Sequence, residues 1–180
     1  MSLKFAILGL LTLEPMTGYT LKTRYFDRSV AHFWPADQAQ IYRTLQSLEA
    51  DKAVTSETVE GDTRPGRRIY TLTEKGQADL LDWLAMDQQI VTHKDAFLVQ
   101  LYFGRLLSRA QLLTVLRTRR VEHQKQARYF DDLKKPVPET EMMRRQIRLG
   151  AMTLDFARRR EAMALEWLDA CIATVEGWDD

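Results

Sequence analysis

The sequence predicts a mainly α-helical protein with one small β-hairpin, divided into two domains over residues 1–86 and 93–178. Three observations support this. Apolar residues recur at intervals of three and four along most of the chain, which is typical of amphipathic helices. One short segment has β-branched residues on both sides of a Gly/Pro-rich turn, which is typical of a hairpin. A long C-terminal stretch without proline predicts a helix that exceeds what a small domain can cover.

Two helices are predicted before residue 30. Leu3–Leu13 is apolar nearly all round, so this helix should be buried on several sides. Thr17 is a predicted N-cap for a second helix that runs to about Arg28. The free N–H groups at the start of this helix can hold a DNA phosphate, with Tyr19 and Lys22 beside them. The alternative for Tyr19 is that it packs on the domain surface.

The stretch Asp37–Asp51 predicts the helix around which the domain is organised. Asp37 is a good N-cap residue, and one apolar stripe consists of Ile41, Leu45 and Leu48. The opposite face carries short or forked hydrogen-bonding side chains, namely Gln40, Arg43, Thr44 and Ser47. Such a face can lie in a DNA major groove. The alternative is one more packed helix.

The segment that joins these two helices contains two bulky aromatic residues, Phe33 and Trp34. Large aromatic side chains are unusual in a surface loop. They either line a cleft between the two domains or plug the core of the first one.

A hairpin with an arginine-rich tip is predicted after the third helix. Val54–Glu60 and Arg67–Leu72 read as strands, and the intervening glycines and proline read as turn formers. The tip and its exit carry Arg64, Arg67 and Arg68, which suit phosphates or a minor groove. A helix followed by such a hairpin is the order of a winged helix-turn-helix. A fourth helix should then cover Glu74–Ala85, capped by Thr73.

The charge balance limits how DNA could be bound. The formal net charge is +1, and the first 85 residues contain 10 Lys/Arg and 11 Asp/Glu. This lacks the broad basic field that is typical of nucleic-acid-binding proteins. Any DNA binding must therefore come from a few focused arginines and would benefit from a dimer.

The C-terminal part predicts long helices. Helices are expected over Asp95–Leu107, from the Ser108 cap to about Lys134, and over Glu139–Gly177, with a turn at Pro136 and Pro138. The last helix would be about 57 Å long at roughly 1.5 Å per residue. We therefore expect an antiparallel helical hairpin that forms a coiled-coil-like homodimer, and the alternative is an intrachain bundle. The predicted interface residues are Leu149, Phe156, Met163 and Trp167.

An enzyme is not expected. His32, His93 and His123 are scattered without metal-binding spacing, and no glycine-rich phosphate loop or GxSxG motif occurs. No cofactor or metal is therefore predicted. The single cysteine, Cys171, excludes an intramolecular disulfide. The apolar N-terminus is interpreted as mature structure and nothing approaches a membrane span, so a cytoplasmic location is expected.

Five motifs occur in order and together resemble the PadR family of bacterial transcriptional regulators. They are LGLL near the start, PMTGYTL, IYRTLQSLE, RPGRRIYTLTEKG and LLDWL. This match covers about the first 85 residues. The remainder is similar to the long-helix C-terminal domain of the larger PadR-type subgroup, which includes the virulence activator alpha class.

The resemblance implies a dimeric regulator that binds palindromic promoter DNA, with C-terminal helices exchanged between subunits. Two recognition helices would enter successive major grooves about 34 Å apart. The candidates for base edges and nearby phosphates are Gln38, Gln40, Arg43 and Thr44. Tyr42 would contact a phosphate or pack against the hairpin, and the three tip arginines would hold the flanking backbone or minor groove. Repression is the expected sign of regulation.

The chain departs from the family in the turn after the recognition helix, where glycine is common. Here the turn is Asp51-Lys52-Ala53, so Asp51 or Lys52 must adopt it at some energetic cost.

A small aromatic effector is a further possible partner. A pocket between the domains could be walled by Phe33, Trp34, Phe97, Met152 and Phe156, although such a cluster is more often core. A ligand there would change the spacing of the recognition helices. The alternative function is a winged-helix module that docks proteins without specific DNA binding.

Overall fold

The computed structural model describes residues 2–61, 64–90, 94–133 and 140–178. It separates into two compact units, Met1–Gln89 and Ile90–Asp180. The predicted fold class is confirmed, since both units are largely helical and the described strands form one small antiparallel sheet. None of the helices in the described ranges is both long and apolar enough to span a bilayer.

The first unit follows the predicted element order with one additional strand. Its elements are α1 (Ser2–Leu11), β1 (Met16–Thr17), α2 (Gly18–Thr20, which continues as a π-helix, Leu21–Ser29), α3 (Gln38–Ala50), β2 (Val54–Gly61), β3 (Arg64–Leu72) and α4 (Glu74–Ala85).

Side-chain caps set the start of three of these helices. The Thr17 hydroxyl accepts the Thr20 N–H, and the Thr73 hydroxyl accepts the Gly76 N–H. Asp37 forms a full capping box with Gln40, because each side chain accepts the other residue's backbone N–H. These contacts confirm the predicted caps, since each satisfies an N–H that has no partner within its helix.

The sheet has the order β1-β3-β2, with both pairs antiparallel. Val54 lies opposite Leu72, and the ladder becomes irregular between Val59 and Gly61. The two-residue strand β1 is absent from the sequence prediction. Two residues are too few to show the alternating pattern of a strand in the sequence. The strand forms because Met16 pairs with Tyr70.

The core of the first unit lies beneath α3. Ile41, Leu45 and Leu48 are fully buried there, as their spacing predicts. Trp34 packs against this core in line with the plug interpretation, whereas Phe33 is exposed. Burial of this apolar stripe turns the opposite, polar face of α3 towards solvent.

The turn after α3 shows the backbone cost that was expected from the missing glycine. Lys52 has a φ of 59°, the only positive φ of a non-glycine residue in the described part of the chain. The Thr73 hydroxyl lies within hydrogen-bond distance of the Lys52 and Ala53 carbonyl oxygens. The residue that follows β3 therefore holds the turn at the base of the hairpin.

The second unit contains α5 (Ala96–Tyr102), a 3₁₀ turn (Gly104–Leu106), α6 (Arg109–Asp132) and α7 (Glu141–Glu176). The single helix predicted over Asp95–Leu107 is wrong in its second half, because the α-helix ends at Tyr102. The predicted Pro136–Pro138 turn, His93 and residues 62–63 of the hairpin tip lie outside the described residues.

Helices α6 and α7 run antiparallel. Arg109 contacts the carbonyl oxygens of Val175 and Glu176, Arg120 pairs with Asp169, and Arg158 donates to the Phe130 carbonyl oxygen. Residues later in α6 therefore contact residues earlier in α7, as an antiparallel arrangement requires. The buried side chains of this unit's principal core are Phe97, Leu112, Leu116, Leu168 and Val175.

Candidate nucleic-acid interface

The outer face of α3 presents an unpaired guanidinium to solvent. Arg43 lies on the side opposite the buried Ile41 and is exposed. Within the described ranges its guanidinium has no hydrogen-bond or ion-pair partner. Because its helix is capped at one end and pinned to the core along its length, the base of the Arg43 side chain is fixed while its charged end stays available.

The other predicted base-reading side chains differ in how free they are. Gln38 is exposed in the first turn of α3. The Gln40 amide oxygen accepts the Asp37 N–H at 3.0 Å, so one of its polar atoms already serves the cap. The Thr44 hydroxyl donates to the Gln40 carbonyl oxygen at 2.8 Å, which leaves its lone pairs to accept.

A groove runs along one flank of this polar face. Its volume is about 440 Å³, and its walls come from α1, the segment before α3 and α3 itself. The lining residues are Leu3, Trp34, Pro35, Gln40, Arg43, Thr44 and Ser47. Trp34 therefore borders the candidate DNA-reading surface, a neighbour that sequence spacing does not reveal.

The start of α2 lies against α3 through Tyr42. A Cβ on Gly18 would be 2.7 Å from the Tyr42 ring, so the ring packs directly on the Gly18 backbone. Tyr19 is exposed next to it, while the Lys22 ammonium pairs with Asp27. The structure thus brings Tyr19, Lys22 and Tyr42 to the α2–α3 side of the unit.

The arginines of the hairpin are not equivalent. Arg67 is exposed and, among the residues that the structure describes, has no polar partner. Arg68 instead donates to both carboxylate oxygens of Glu49, at 2.8 and 2.9 Å. The side chain of Arg64 lies outside the described part.

That these side chains of α2, α3 and the hairpin contact DNA stays a prediction.

Sequence reasoning missed the acceptor of this contact. Glu49 lies on the flank of α3 that faces the hairpin, and Ser56 on β2 completes the set. Burial raises the pKa of the nearby Tyr70 hydroxyl, and the Arg68 guanidinium acts in the opposite direction. The sequence signal that could have predicted this contact was Glu49, the one acidic residue within α3, followed by an arginine-containing hairpin.

The predicted dimer residues share one exposed stripe of α7. Phe156 is 68% exposed and Met163 is 59% exposed. Leu149 is half exposed, and Trp167 meets the Phe97 ring edge-on at a centroid distance of 6.2 Å. Leu149, Phe156 and Met163 thus form an exposed apolar stripe within the described part of α7, and an apolar surface this extended is uncommon on soluble monomers.

The predicted effector pocket draws on both units. Phe33 and Trp34 belong to the first unit, and the other three residues belong to the second. Phe97 is buried in the core of its unit, whereas Met152 and Phe156 are exposed. The pocket stays a prediction. In the described ranges, no group of three His, Cys, Asp or Glu side chains is placed to hold a metal ion.

The comparisons with known proteins agree with this organisation. The model for the "Transcriptional regulator PadR-like family" matches residues 7–82, and that for "Virulence activator alpha C-term" matches residues 93–176. The Negative transcriptional regulator PadR of Bacillus subtilis (strain 168) is 30% identical over 181 residues, which is 97% of each chain.

Two solved structures of Bacillus subtilis PadR are similar over nearly their whole length. The complex with operator DNA has a TM-score of 0.82 at 29% identity and covers 97% of this chain and 99% of that one. The complex with p-coumaric acid has a TM-score of 0.77 at 29% identity, with 98% and 99% covered.

A helix with an outward polar face, an adjoining hairpin and a long-helix second unit together define a winged helix-turn-helix transcriptional regulator. The full-length relative and the two family matches make the assignment more specific. The chain belongs to the PadR-like family of transcriptional regulators.

Proposed function

We propose that this chain is a dimeric repressor that acts in the cytoplasm, binds a palindromic promoter site and is released by a small aromatic ligand. The observation that carries the DNA-binding part is the exposed, unpaired Arg43 on a capped and core-anchored helix. A guanidinium in that setting suits bidentate recognition of guanine in a major groove. The operator complex of the Bacillus subtilis relative supports this choice of partner.

The other surface residues divide by the contact they suit. Gln38, Gln40 and Thr44 offer amide and hydroxyl groups to base edges. Tyr19, Lys22 and Tyr42 flank the start of α2, where backbone N–H groups favour a phosphate. Arg64 and Arg67 belong to the hairpin and suit the flanking backbone or minor groove.

A dimer compensates for the low charge of the first unit. A near-neutral surface gains little from counterion release, so one copy would bind DNA weakly. Two copies at fixed spacing read two half-sites together. Support for self-association comes from α7, on which Met142, Leu149, Phe156 and Met163 recur every seven residues and are exposed, the repeat of a coiled-coil seam.

A second exposed apolar surface lies in the same unit. Val99 and Tyr102 lie in α5, Phe103 follows it and Leu106 ends the 3₁₀ turn, and all four are more than half exposed. Together with the α7 stripe they provide far more apolar surface than scattered single residues do. We assign both surfaces to the homodimer contact.

The proposed effector follows from the ligand of a relative. The Bacillus subtilis relative was solved with p-coumaric acid, which is a small aromatic acid. Four tryptophans occur in the chain, and Trp34 borders the surface proposed for DNA. Fluorescence titration with a panel of small aromatic acids, with and without DNA, tests for a ligand that releases the complex. No response across the panel would remove the effector from the proposal.

The DNA proposal is tested by a mobility shift with the upstream region of the protein's own gene at two salt concentrations. Arg43→Ala should weaken specific binding about five- to 150-fold, the equivalent of about 1–3 kcal/mol. Arg67→Ala should reduce specific and non-specific binding alike. Arg117→Ala removes the same charge from the second unit and serves as the control.

Wild-type affinity in the Arg43→Ala, Arg67→Ala double variant would contradict the proposed surface. If the wild type shows no salt-dependent DNA binding at all, a protein-docking winged helix becomes the better description. A steep loss of binding with salt is the expected signature of phosphate neutralisation.

The dimer is tested by two substitutions at adjacent positions of α7. Met163→Glu puts a charge on the exposed apolar stripe, whereas Ala162→Glu puts it about 100° round the helix on another exposed face. Sedimentation equilibrium should show that only Met163→Glu dissociates the dimer. A monomeric wild type, or equal behaviour of the two variants, would refute the proposed interface.

A further inference from the structure

A closed polar network joins the recognition helix to the hairpin. The Ser56 hydroxyl donates to Glu49 Oε1 at 2.5 Å, and Arg68 Nε donates to the Ser56 oxygen at 2.7 Å. Arg68 Nη2 completes the circuit by donating to both Glu49 oxygens. The guanidinium also lies over the Tyr70 ring, 5.7 Å from its centroid. One side chain thus links α3, β2 and β3.

The strand register explains why Arg68 and not Arg67 makes this contact. Successive side chains on a strand point to opposite faces. Arg68 lies opposite Thr58, so Ser56 is its diagonal neighbour on the same face of the ribbon. This is the face that lies against Glu49, whereas Arg67 points the other way and is exposed.

The network removes Arg68 from the set of guanidiniums available to DNA. Its Nε and Nη2 groups are used inside the protein, and its charge is balanced by the Glu49 carboxylate. Binding a phosphate with the same edge would require breaking charge-assisted hydrogen bonds, which are among the stronger kind. Arg67 carries no such cost.

We infer that Arg68 is a positioning residue, and that the Glu49–Ser56–Arg68 network fixes the direction of the hairpin relative to the recognition helix. This inference rests on the proposed DNA binding for its functional consequence. It replaces, for Arg68, the phosphate contact that the sequence predicts. Arg67 keeps that role.

The length of the hairpin makes its direction matter. β2 has eight residues, so its far end is about 23 Å from its base at roughly 3.3 Å per residue. A rotation of about 10° at the base would displace the tip by about 4 Å, which exceeds the tolerance of a hydrogen bond. Near the base, the turn at Lys52, the Thr73 contacts and the pairing of β1 with Ile69 and Tyr70 hold one end of the ribbon. The Arg68 network is a second attachment to α3.

The test is a double-mutant cycle read by DNA affinity over a range of salt concentrations. The variants are Glu49→Gln, Arg68→Gln, their combination and the charge exchange Glu49→Arg with Arg68→Glu, with Arg67→Gln as the matched control. The probes are the upstream fragment of the protein's own gene and an unrelated duplex of equal length.

A positioning role predicts a particular pattern. Glu49→Gln and Arg68→Gln should each weaken binding to the upstream fragment by about five- to thirtyfold, and the double variant should be no worse than either. Their salt dependence should match the wild type, whereas Arg67→Gln should lower the slope by about one unit. The charge exchange should recover part of the affinity.

The opposite pattern overturns the inference. Glu49→Gln removes a negative charge near DNA, so simple electrostatics would strengthen binding. If it does so, while Arg68→Gln lowers the salt slope by about one unit, Arg68 is a phosphate contact.

Amide hydrogen exchange separates this inference from the proposed function. In the free protein, Glu49→Gln and Arg68→Gln should speed exchange in β2 and β3 at least fivefold while leaving α1 unchanged, and Arg67→Gln should alter neither. Unchanged exchange in β2 and β3 would refute the positioning role even if DNA binds. If the wild type does not bind DNA but exchange is faster in the two variants, the proposed function alone would be refuted.

Discussion

Gly76→Ala should destabilise the first unit because α4 begins directly against the turn after the recognition helix. A Cβ on Gly76 would lie 2.0 Å from the Ala53 carbonyl oxygen and 2.9 Å from its carbonyl carbon. The obstacle is backbone rather than a flexible side chain. The helix or the turn must therefore shift by about 1 Å or more to restore an ordinary contact.

That shift affects hydrogen bonds as well as packing. The Ala53 carbonyl oxygen accepts the Thr73 N–H at 3.2 Å and is also 3.0 Å from the Thr73 hydroxyl. Overpacking costs about 1–3 kcal/mol, and a weakened hydrogen bond adds about 1 kcal/mol. Alanine returns at most about 1 kcal/mol through its better helix propensity. The net loss should be about 2 kcal/mol, or a fall in Tm of about 10 °C for a domain of this size.

Gly9→Ala is the matched control because the same change occurs in a helix of the same unit. A Cβ on Gly9 would meet nothing within 4 Å, so helix propensity alone should decide the outcome. We expect a gain of up to about 1 kcal/mol. Differential scanning calorimetry of the full chain, with the transition of each unit fitted separately, measures both variants.

Opposite signs for the two glycines are the expected result. A Gly76→Ala variant that unfolds at or above the wild-type temperature would show that α4 does not approach the turn closely. Equal losses in both variants would show that the helix starts are not where the structure has them.

Three further predictions concern the turn and the α6–α7 pair. Lys52→Gly should raise the free energy of unfolding by about 1 kcal/mol, because it relieves a left-handed backbone, whereas Lys52→Ala should give no gain. Glu161 is 3% exposed and lies 2.6 Å from the His123 Nδ1 atom, so Glu161→Ala should cost about 3 kcal/mol in urea unfolding, with Glu161→Gln less damaging. The Arg120 guanidinium lowers the pKa of the Asp169 carboxyl, so this pair stabilises the folded state above the ordinary aspartate pKa of about 3.9 and loses that contribution as pH falls. Asp169→Asn should accordingly lower Tm equally at pH 6 and pH 8, and its difference from the wild type should shrink as the pH falls below about 3.9; a loss that appears only at pH 8 would contradict the assignment.

Local signals in the sequence determined most of the helical framework. Asp37, Thr73 and Ser108 were predicted as caps, and each accepts the backbone N–H three residues on. The start and end of α4 follow from its cap and its apolar period. The caps and helix bounds depend on residues within one or two turns of each other, so the sequence states them directly. The strained turn at Lys52 was instead expected from the family resemblance, because glycine is common at that turn in the family and is missing here.

Contacts between distant segments were beyond that reach. Strand β1 has two residues and forms only because β3 passes beside it. The break after Tyr102 ends a helix that periodicity alone would continue. The close approach of Gly18 to Tyr42 depends on how α2 crosses α3. None of these three features produces a periodic pattern in the sequence.

By itself, the sequence determined most of the helices, the hairpin and the presence of arginines in that hairpin, because periodicity and capping act over a few residues. Only the tertiary structure decided which guanidinium is free. Arg67 and Arg68 are neighbours in sequence with the same chemistry, yet the register of β3 turns one towards Glu49 and the other towards solvent. A strand alternates its faces at every residue, so the partner of each side chain is set by what packs against that face.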